Sequence, residues 1–199
     1  ALNAVYKDAA VTAQQMAFLR NTAVSAGVSM GELQGSFGKF AASTQAANIP
    51  LSVTNNLFAA VTRAAGTLGL SGEQVSGMLE ALSQMAGKGV VSLEELRQQL
   101  GDRLPGAVAL TAKGFGITEA QLIKLVESGQ LAARDLFPAL TKALGGMAGT
   151  VDGLNVTWQN FKNVLTGVAQ DAGNAGWTDI LTAALRGLGA VVGTLALGV

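Results

Sequence analysis

Residues 27–31 contain the most recognisable catalytic pattern in the chain. Their sequence, GVSMG, matches the G-x-S-x-G turn that exposes a nucleophilic serine, here Ser29. Such a serine needs a histidine as its general base, and the chain contains no histidine. The turn also needs a preceding strand, and the sequence predicts none at this position. We therefore expect Ser29 to cap a helix rather than to attack a substrate.

A second group of polar residues could form an acid–base site. Glu94, Glu95, Asp102 and Arg103 lie close together in the sequence. Glu95, however, stands three residues after Ser92, which is the spacing of a helix capping box, and Glu94 beside it favours the positive start of the same helix. We interpret the group as a solvated helix face. The sequence therefore predicts no catalytic residues and no enzymatic activity.

Composition narrows the classes of function further. The 199 residues carry 13 Lys+Arg and 13 Asp+Glu, so the net charge is zero. Sequence-specific binding of nucleic acid needs a basic face, so this balance argues against it. Cysteine is also absent, which excludes disulfides and thiolate metal sites, and we predict no metal or cofactor. Nothing at Ala1 resembles a signal segment, which favours a piece of a longer protein.

Hydrophobic spacing predicts an all-α fold. Val75, Met78, Leu79, Leu82 and Met85 follow the i, i+3, i+4 rule of an amphipathic helix. Runs of alternating β-branched residues, which would indicate strands, do not occur. We expect repeated helical hairpins that form a compact bundle, followed by an apolar C-terminal helical segment.

A short repeat marks the helix boundaries. It reads GVSMGEL from residue 27, GLSGEQV from residue 69 and GITEAQL from residue 116. The glycine suits the left-handed end of one helix, the Ser or Thr caps the next, and the Glu or Gln closes the capping box. The predicted turn glycines are Gly27, Gly69 and Gly116, the predicted caps are Ser29, Ser71 and Thr118, and their partners are Glu32, Gln74 and Gln121.

The stretch KGVVSLEELRQQLGDRLPGA, residues 88–107, follows the same logic. Gly89 is predicted to end one helix, and Ser92 with Glu95 to begin the next. Pro105 is predicted to occupy the first position of the helix after that, where its missing N–H costs nothing. A weaker copy of this pattern follows forty residues on, at Leu131, Ala132, Asp135 and Leu136.

The chain changes character after residue 148. Leu154, Trp158, Phe161 and Leu165 keep helical spacing, and residues 173–176 then form a Gly-rich break. We interpret residues 149–176 as an amphipathic helix with a linker, in which Trp158 and Phe161 are packing residues.

Residues 177–199 end the chain in an apolar segment. From residue 180 onward the only charge is Arg186, and about 20 such residues can span a bilayer. Gly189 and Gly193, four apart, would suit close packing of helices in a membrane. The alternative is a buried or self-associating helix in an assembly, and both interpretations stay open.

Residues 80–131 resemble the tape measure domain of bacteriophage tail tape measure proteins. The strongest likeness is QMAGKGVVSLEELRQQLGDRLPGA, residues 84–107, and the resemblance extends over about residues 35–144. With the repeat and the change in composition, we divide the chain into an N-terminal helix leading in (1–26), a tape-measure-like helical-hairpin domain (27–148), and the two segments 149–176 and 177–199.

The resemblance implies a structural role in the virion. Such proteins set tail length, template assembly of the tail tube inside its lumen, and leave on infection to aid genome delivery. The implied partners are the tail tube protein, tail tip or baseplate hub proteins, tail assembly chaperones, other copies of the chain and the host membrane. A membrane-active or pore-forming helical module is the alternative function. A part of such a protein that sets tail length by its own extent, here called the ruler, should be an extended helix. Because signals for helix ends and turns fill this sequence, we expect a compact packing and docking unit rather than the ruler.

Overall fold

The computed structural model describes residues 2–146. The predictions for residues 149–176 and 177–199, including those for Gly189 and Gly193, lie outside this part of the chain. Eight α-helices and one π-helix make up the described part. They are α1 (Leu2–Tyr6), α2 (Ala9–Ala26), α3 (Met30–Ala46), α4 (Leu51–Leu68), α5 (Gly72–Lys88), the π-helix (Glu95–Leu100), α6 (Ala107–Phe115), α7 (Glu119–Glu127) and α8 (Ala133–Gly145).

The all-α prediction is confirmed for residues 2–146. The only extended pairing in this range is a single antiparallel bridge between Val90 and Ala132. Among the same residues, none of the helices combines the length and the apolar character needed to cross a membrane.

The helices stack in parallel rows rather than packing mainly on their sequence neighbours. The rings of Phe18 and Phe58 have centroids 6.0 Å apart, and the carbonyl of Ala26 lies against Gly66. Both pairs are 40 residues apart, one near the middle and one at the end of each helix. Therefore α2 and α4 run in the same direction with a fixed register.

The same register relates α3 to α5. The Ser36 hydroxyl donates to Ser76 Oγ at 2.7 Å, again across 40 residues. Glu32 contacts Gly72 one turn earlier in each helix. Two hairpins, α2–α3 and α4–α5, are thus laid side by side, and each buries the apolar stripe that it could not bury alone.

Aromatic rings fill the space between the two hairpins. Phe37 on α3 lies 4.7 Å from Phe58 and 6.0 Å from Phe18, measured between ring centroids. Further along, Phe40 pairs with Phe137 of α8 at 5.8 Å. Tilted pairs at such distances add about 0.5–1.5 kcal/mol each to the free energy of area burial. These rings therefore join α8 to the core that the hairpins share.

Close backbone approach sets the spacing between helices. A Cβ on Gly66 would overlap the carbonyl of Ala26, and a Cβ on Gly114 would overlap the carbonyl of Ala139. The first contact joins α4 to α2, and the second joins α6 to α8. Glycine at these two positions is what lets each pair of helices come together.

Candidate functional site

The turns predicted at residues 27 and 69 meet in space. Gly27 and Gly69 both adopt the left-handed conformation, with φ of 65° and 66°, and each ends a helix. The two turns line a common cavity of about 270 Å³, to which Ala26 and Gly66 also contribute. Two copies of one sequence repeat therefore form a single structural unit. Gly116, the third predicted turn glycine, is likewise left-handed at 71°, after α6.

Glu32 has a different partner from the one that its spacing indicates. Helix α3 begins at Met30, directly after Ser29, but the Ser29 side chain makes no capping hydrogen bond to it. A Cβ on Gly72 would overlap the Glu32 carboxylate, so this carboxylate lies at the first residue of α5. The predicted box between Ser29 and Glu32 is wrong for this reason. The carboxylate, on the first turn of α3, therefore also lies at the positive end of α5.

Two capping boxes with both hydrogen bonds open later helices. Gln74 N–H donates to Ser71 Oγ at 3.2 Å, and Ser71 N–H donates to Gln74 Oε1 at 2.9 Å, at the start of α5. Thr118 and Gln121 make the same pair of bonds at 3.3 and 2.9 Å, at the start of α7. Each box satisfies two backbone donors that the first turn of a helix leaves free.

The cap at Ser92 is built around a buried carboxylate. Ser92 N–H and Ser92 O–H both donate to Glu95 Oε2, at 3.1 and 2.9 Å, and Glu95 N–H donates back to Ser92 Oγ at 3.3 Å. The Glu95 side chain is only 1% exposed, and Lys88 Nζ lies 2.7 Å from its Oε1. The hydrogen bond and the negative charge of Glu95 raise the pKa of Lys88.

The predicted solvated helix face is therefore wrong for Glu95, although Glu94 and Asp102 are exposed. A glutamate at the third position of a helix is usually half in water, so its spacing gave no sign of burial. The side chain that covers Glu95 comes from the turn that precedes it. Gly89, left-handed with φ of 79°, turns the chain so that Lys88 at the end of α5 reaches back over Glu95.

The antiparallel bridge between Val90 and Ala132 joins the turn after α5 to the weaker copy of its sequence pattern. Val91 N–H donates to the Leu131 carbonyl at 2.9 Å, and Ala133 N–H donates to the Gly89 carbonyl at 3.1 Å. Val91 and Leu131 are both buried. The turn after α5 and the turn before α8, forty residues apart, are thereby fastened to one another.

The stretch after Glu95 differs from the predicted α-helix. Glu95–Leu100 is a π-helix, in which hydrogen bonds span one extra residue. The chain then turns through residues 101–106, and α6 begins at Ala107 after Gly106, whose φ is 75°. Pro105 lies in that turn and not at the first helical position, so its predicted place is wrong. The turn is held partly by Arg103, whose guanidinium group lies across Gly77 of α5.

Two of the four polar residues considered for catalysis, Glu95 and Arg103, make structural contacts. Glu95 accepts hydrogen bonds from Ser92 and forms an ion pair with Lys88, and Arg103 donates to the Gln99 carbonyl at 2.7 Å. Within residues 2–146, His, Cys, Asp and Glu side chains form no group of three that could hold a metal ion. The described part of the chain therefore consists of packed helices whose turns are joined by backbone and side-chain hydrogen bonds.

The family model described as "Tape measure protein" matches residues 1–175. The "Probable tape measure protein" of Salmonella phage Felix O1 (isolate Felix O1-VT1) is 31% identical over 172 residues. That alignment covers 86% of this chain and 22% of the phage protein, so the chain spans about a fifth of its relative's length. No solved structure matches.

The chain belongs to the tape measure protein family. This family is structural, and its members are components of phage tails. The resemblance found in residues 84–107 is thus confirmed, and it coincides with the turn, the buried Glu95 and the π-helix.

Proposed function

We propose that residues 2–146 form a compact packing and docking unit of a phage tail tape measure protein, and that the ruler lies elsewhere in the parent protein. The observation that carries the proposal is the 40-residue register. Forty residues of continuous helix would span about 60 Å. Phe18 and Phe58, forty residues apart, have ring centroids separated by only 6.0 Å. A chain folded back in this way contributes little length to a tail.

The parent protein would set tail length, template tube assembly and leave the virion to aid genome delivery. The unit would lie in the tube lumen or at the tail tip. There it would contact tail tube protein, tip or baseplate hub proteins, assembly chaperones or other copies of itself. The hydrogen bond between Val91 and Leu131, which joins two distant turns, supports this role, because a docking unit must keep its shape while its partners assemble.

Two deletions in an infectious phage test the proposal. Drawn out as one helix, residues 2–146 would add about 220 Å at roughly 1.5 Å per residue. Deleting a stretch of equal length from the remainder of the protein should shorten the tails by about that amount. Deleting residues 2–146 should instead impair tail assembly or infection and leave the length of completed tails nearly unchanged. Tails shortened by about 220 Å in the second case would show that this unit is part of the ruler.

The alternative function, a membrane-active or pore-forming module, is favoured only by the sequence of residues 180–199. Contact with the host membrane during infection would follow from it. Liposome flotation of the chain with and without this segment is the test. Binding that is lost with the segment would support the alternative, and equal binding of both chains would contradict it.

A further inference from the structure

A groove between α4 and α8 lies close to the end of the described chain. Val53, Asn56, Pro138, Thr141 and Lys142 line it, and its volume is about 280 Å³. Thr141 stands four residues before the last residue of α8, so the following chain starts within about one helical turn of the groove.

The chemistry of the groove favours a flat apolar group that carries one N–H. Val53 and Pro138 give it apolar walls. The Thr141 hydroxyl donates its hydrogen to the Phe137 carbonyl at 2.8 Å, so the Thr141 oxygen is left as an acceptor. Lys142 places a cation at the rim, where it can lie over an aromatic face. An indole ring meets all three conditions.

The sequence supplies an indole at a suitable distance. Trp158 is the first aromatic residue after α8, and it belongs to the helically spaced set of residues 154–165. The 13 residues from Gly145 to Trp158 can reach about 45 Å when extended, which is ample. The family match continues to residue 175, so this segment belongs to the same family unit as the helices.

We propose that residues 154–165 dock on α4 and α8 with the Trp158 indole in this groove. The occupant is a segment of the same chain, and the inference is independent of the function proposed above. The second groove, between α3 and α5, suits an indole less well. It is larger, about 490 Å³, and serines line much of it: Ser36, Ser43, Ser76 and Ser83.

Engineered disulfides test the proposal in the whole chain, which has no cysteine of its own. One variant carries Asn56→Cys with Thr157→Cys, next to Trp158. The control carries Ser43→Cys, in the α3–α5 groove, with the same Thr157→Cys. Mild oxidation at low protein concentration should give an intramolecular cross-link in the first variant and little or none in the control.

Every other pattern of cross-linking would overturn the proposal. Disulfide-linked dimers of the first variant would mean that a second copy covers the groove. Equal cross-linking of both variants would mean that the segment has no preferred site, and absence of cross-links would mean that it does not reach this one.

Fluorescence gives a second measurement on the intact fold. In a Trp177→Phe background, Trp158 is the only tryptophan. Val53→Asp should raise the acrylamide quenching of Trp158 toward that of the urea-unfolded chain, whereas Ser83→Asp in the other groove should not. Circular dichroism must show that both variants stay folded. Equal quenching in the two variants would contradict the proposal.

Discussion

Lys88 and Glu95 form an ion pair in which the lysine is exposed to solvent and the carboxylate is buried. Lys88 Nζ lies 2.7 Å from Glu95 Oε1, while the Lys88 side chain is 60% exposed and that of Glu95 only 1%. The carboxylate thus depends on this contact and on Ser92 for the partners that water would otherwise supply. It holds together the end of α5, the turn and the start of the next helix.

Removing the carboxylate should therefore destabilise the fold. We expect Glu95→Ala to lower the free energy of unfolding by about 2–3 kcal/mol, since it deletes charge-assisted bonds and leaves the half-buried Ser92 N–H without its acceptor. Glu94→Ala, one residue away on the exposed side, is the matched control and should stay within about 0.5 kcal/mol. Urea denaturation measures both. Equal effects would mean that the burial of Glu95 has no energetic consequence.

The ion pair between Lys88 and Glu95 also predicts how the stability of the fold changes with pH. Because Glu95 raises the pKa of Lys88, the folded state holds the lysine proton more tightly than the unfolded chain does. The stability that this contributes is complete below the ordinary lysine pKa of about 10.4 and is lost as the pH rises through the raised value. An NMR titration of Lys88 should show its pKa falling toward the ordinary value in Glu95→Gln. An unchanged pKa in that variant would rule out Glu95 as the cause.

Two glycines inside helices should respond to alanine substitution in opposite directions, because one lies against a neighbouring helix and the other does not. Gly66→Ala places a methyl group against the Ala26 carbonyl and should cost about 1–3 kcal/mol, because the helices must move apart. Gly35→Ala in α3 meets nothing within 4 Å and should stabilise the protein by up to about 1 kcal/mol through helix propensity. Thermal unfolding compares the two. If Gly66→Ala stabilised the chain as much, α2 and α4 could not be packed as described.

The two kinds of cap should be distinguishable by mutation. Ser71→Ala removes the acceptor of the Gln74 N–H and should cost about 0.5–2 kcal/mol. Ser29→Ala should cost less than about 0.5 kcal/mol, because Ser29 makes no side-chain capping bond. Equal losses on chemical denaturation would restore the capping box first predicted for Ser29 and Glu32.

Local features of this fold could be predicted from the sequence because their rules act over three or four residues. A glycine followed two residues later by Ser71 or Thr118 fixes a helix end and the next helix start without reference to the rest of the chain. Helix period likewise indicated which residues of α5 face the core.

The pairing of helices could not be predicted in this way. Spacing within α2 and α4 shows that each has an apolar face, but the contact of Gly66 with Ala26 depends on residues 40 positions apart. The same holds for Glu32, which has a local partner by spacing and a distant one in the structure. The turn that brings Lys88 over the buried Glu95 is likewise joined by Val91 to Leu131, 40 residues away.

The most direct test of the account asks whether this unit is folded inside the tail. Ser36 Oγ and Ser76 Oγ lie 2.7 Å apart, close enough for a disulfide after substitution of both by cysteine. In virions whose tape measure protein carries Ser36→Cys and Ser76→Cys, we predict an intramolecular disulfide on mild oxidation. Ser36→Cys with an exposed partner, Thr67→Cys, should not form one. In an extended helical ruler, positions 36 and 76 would be about 60 Å apart. Virions in which these two positions form no disulfide, while the purified double variant forms it readily, would contradict the account.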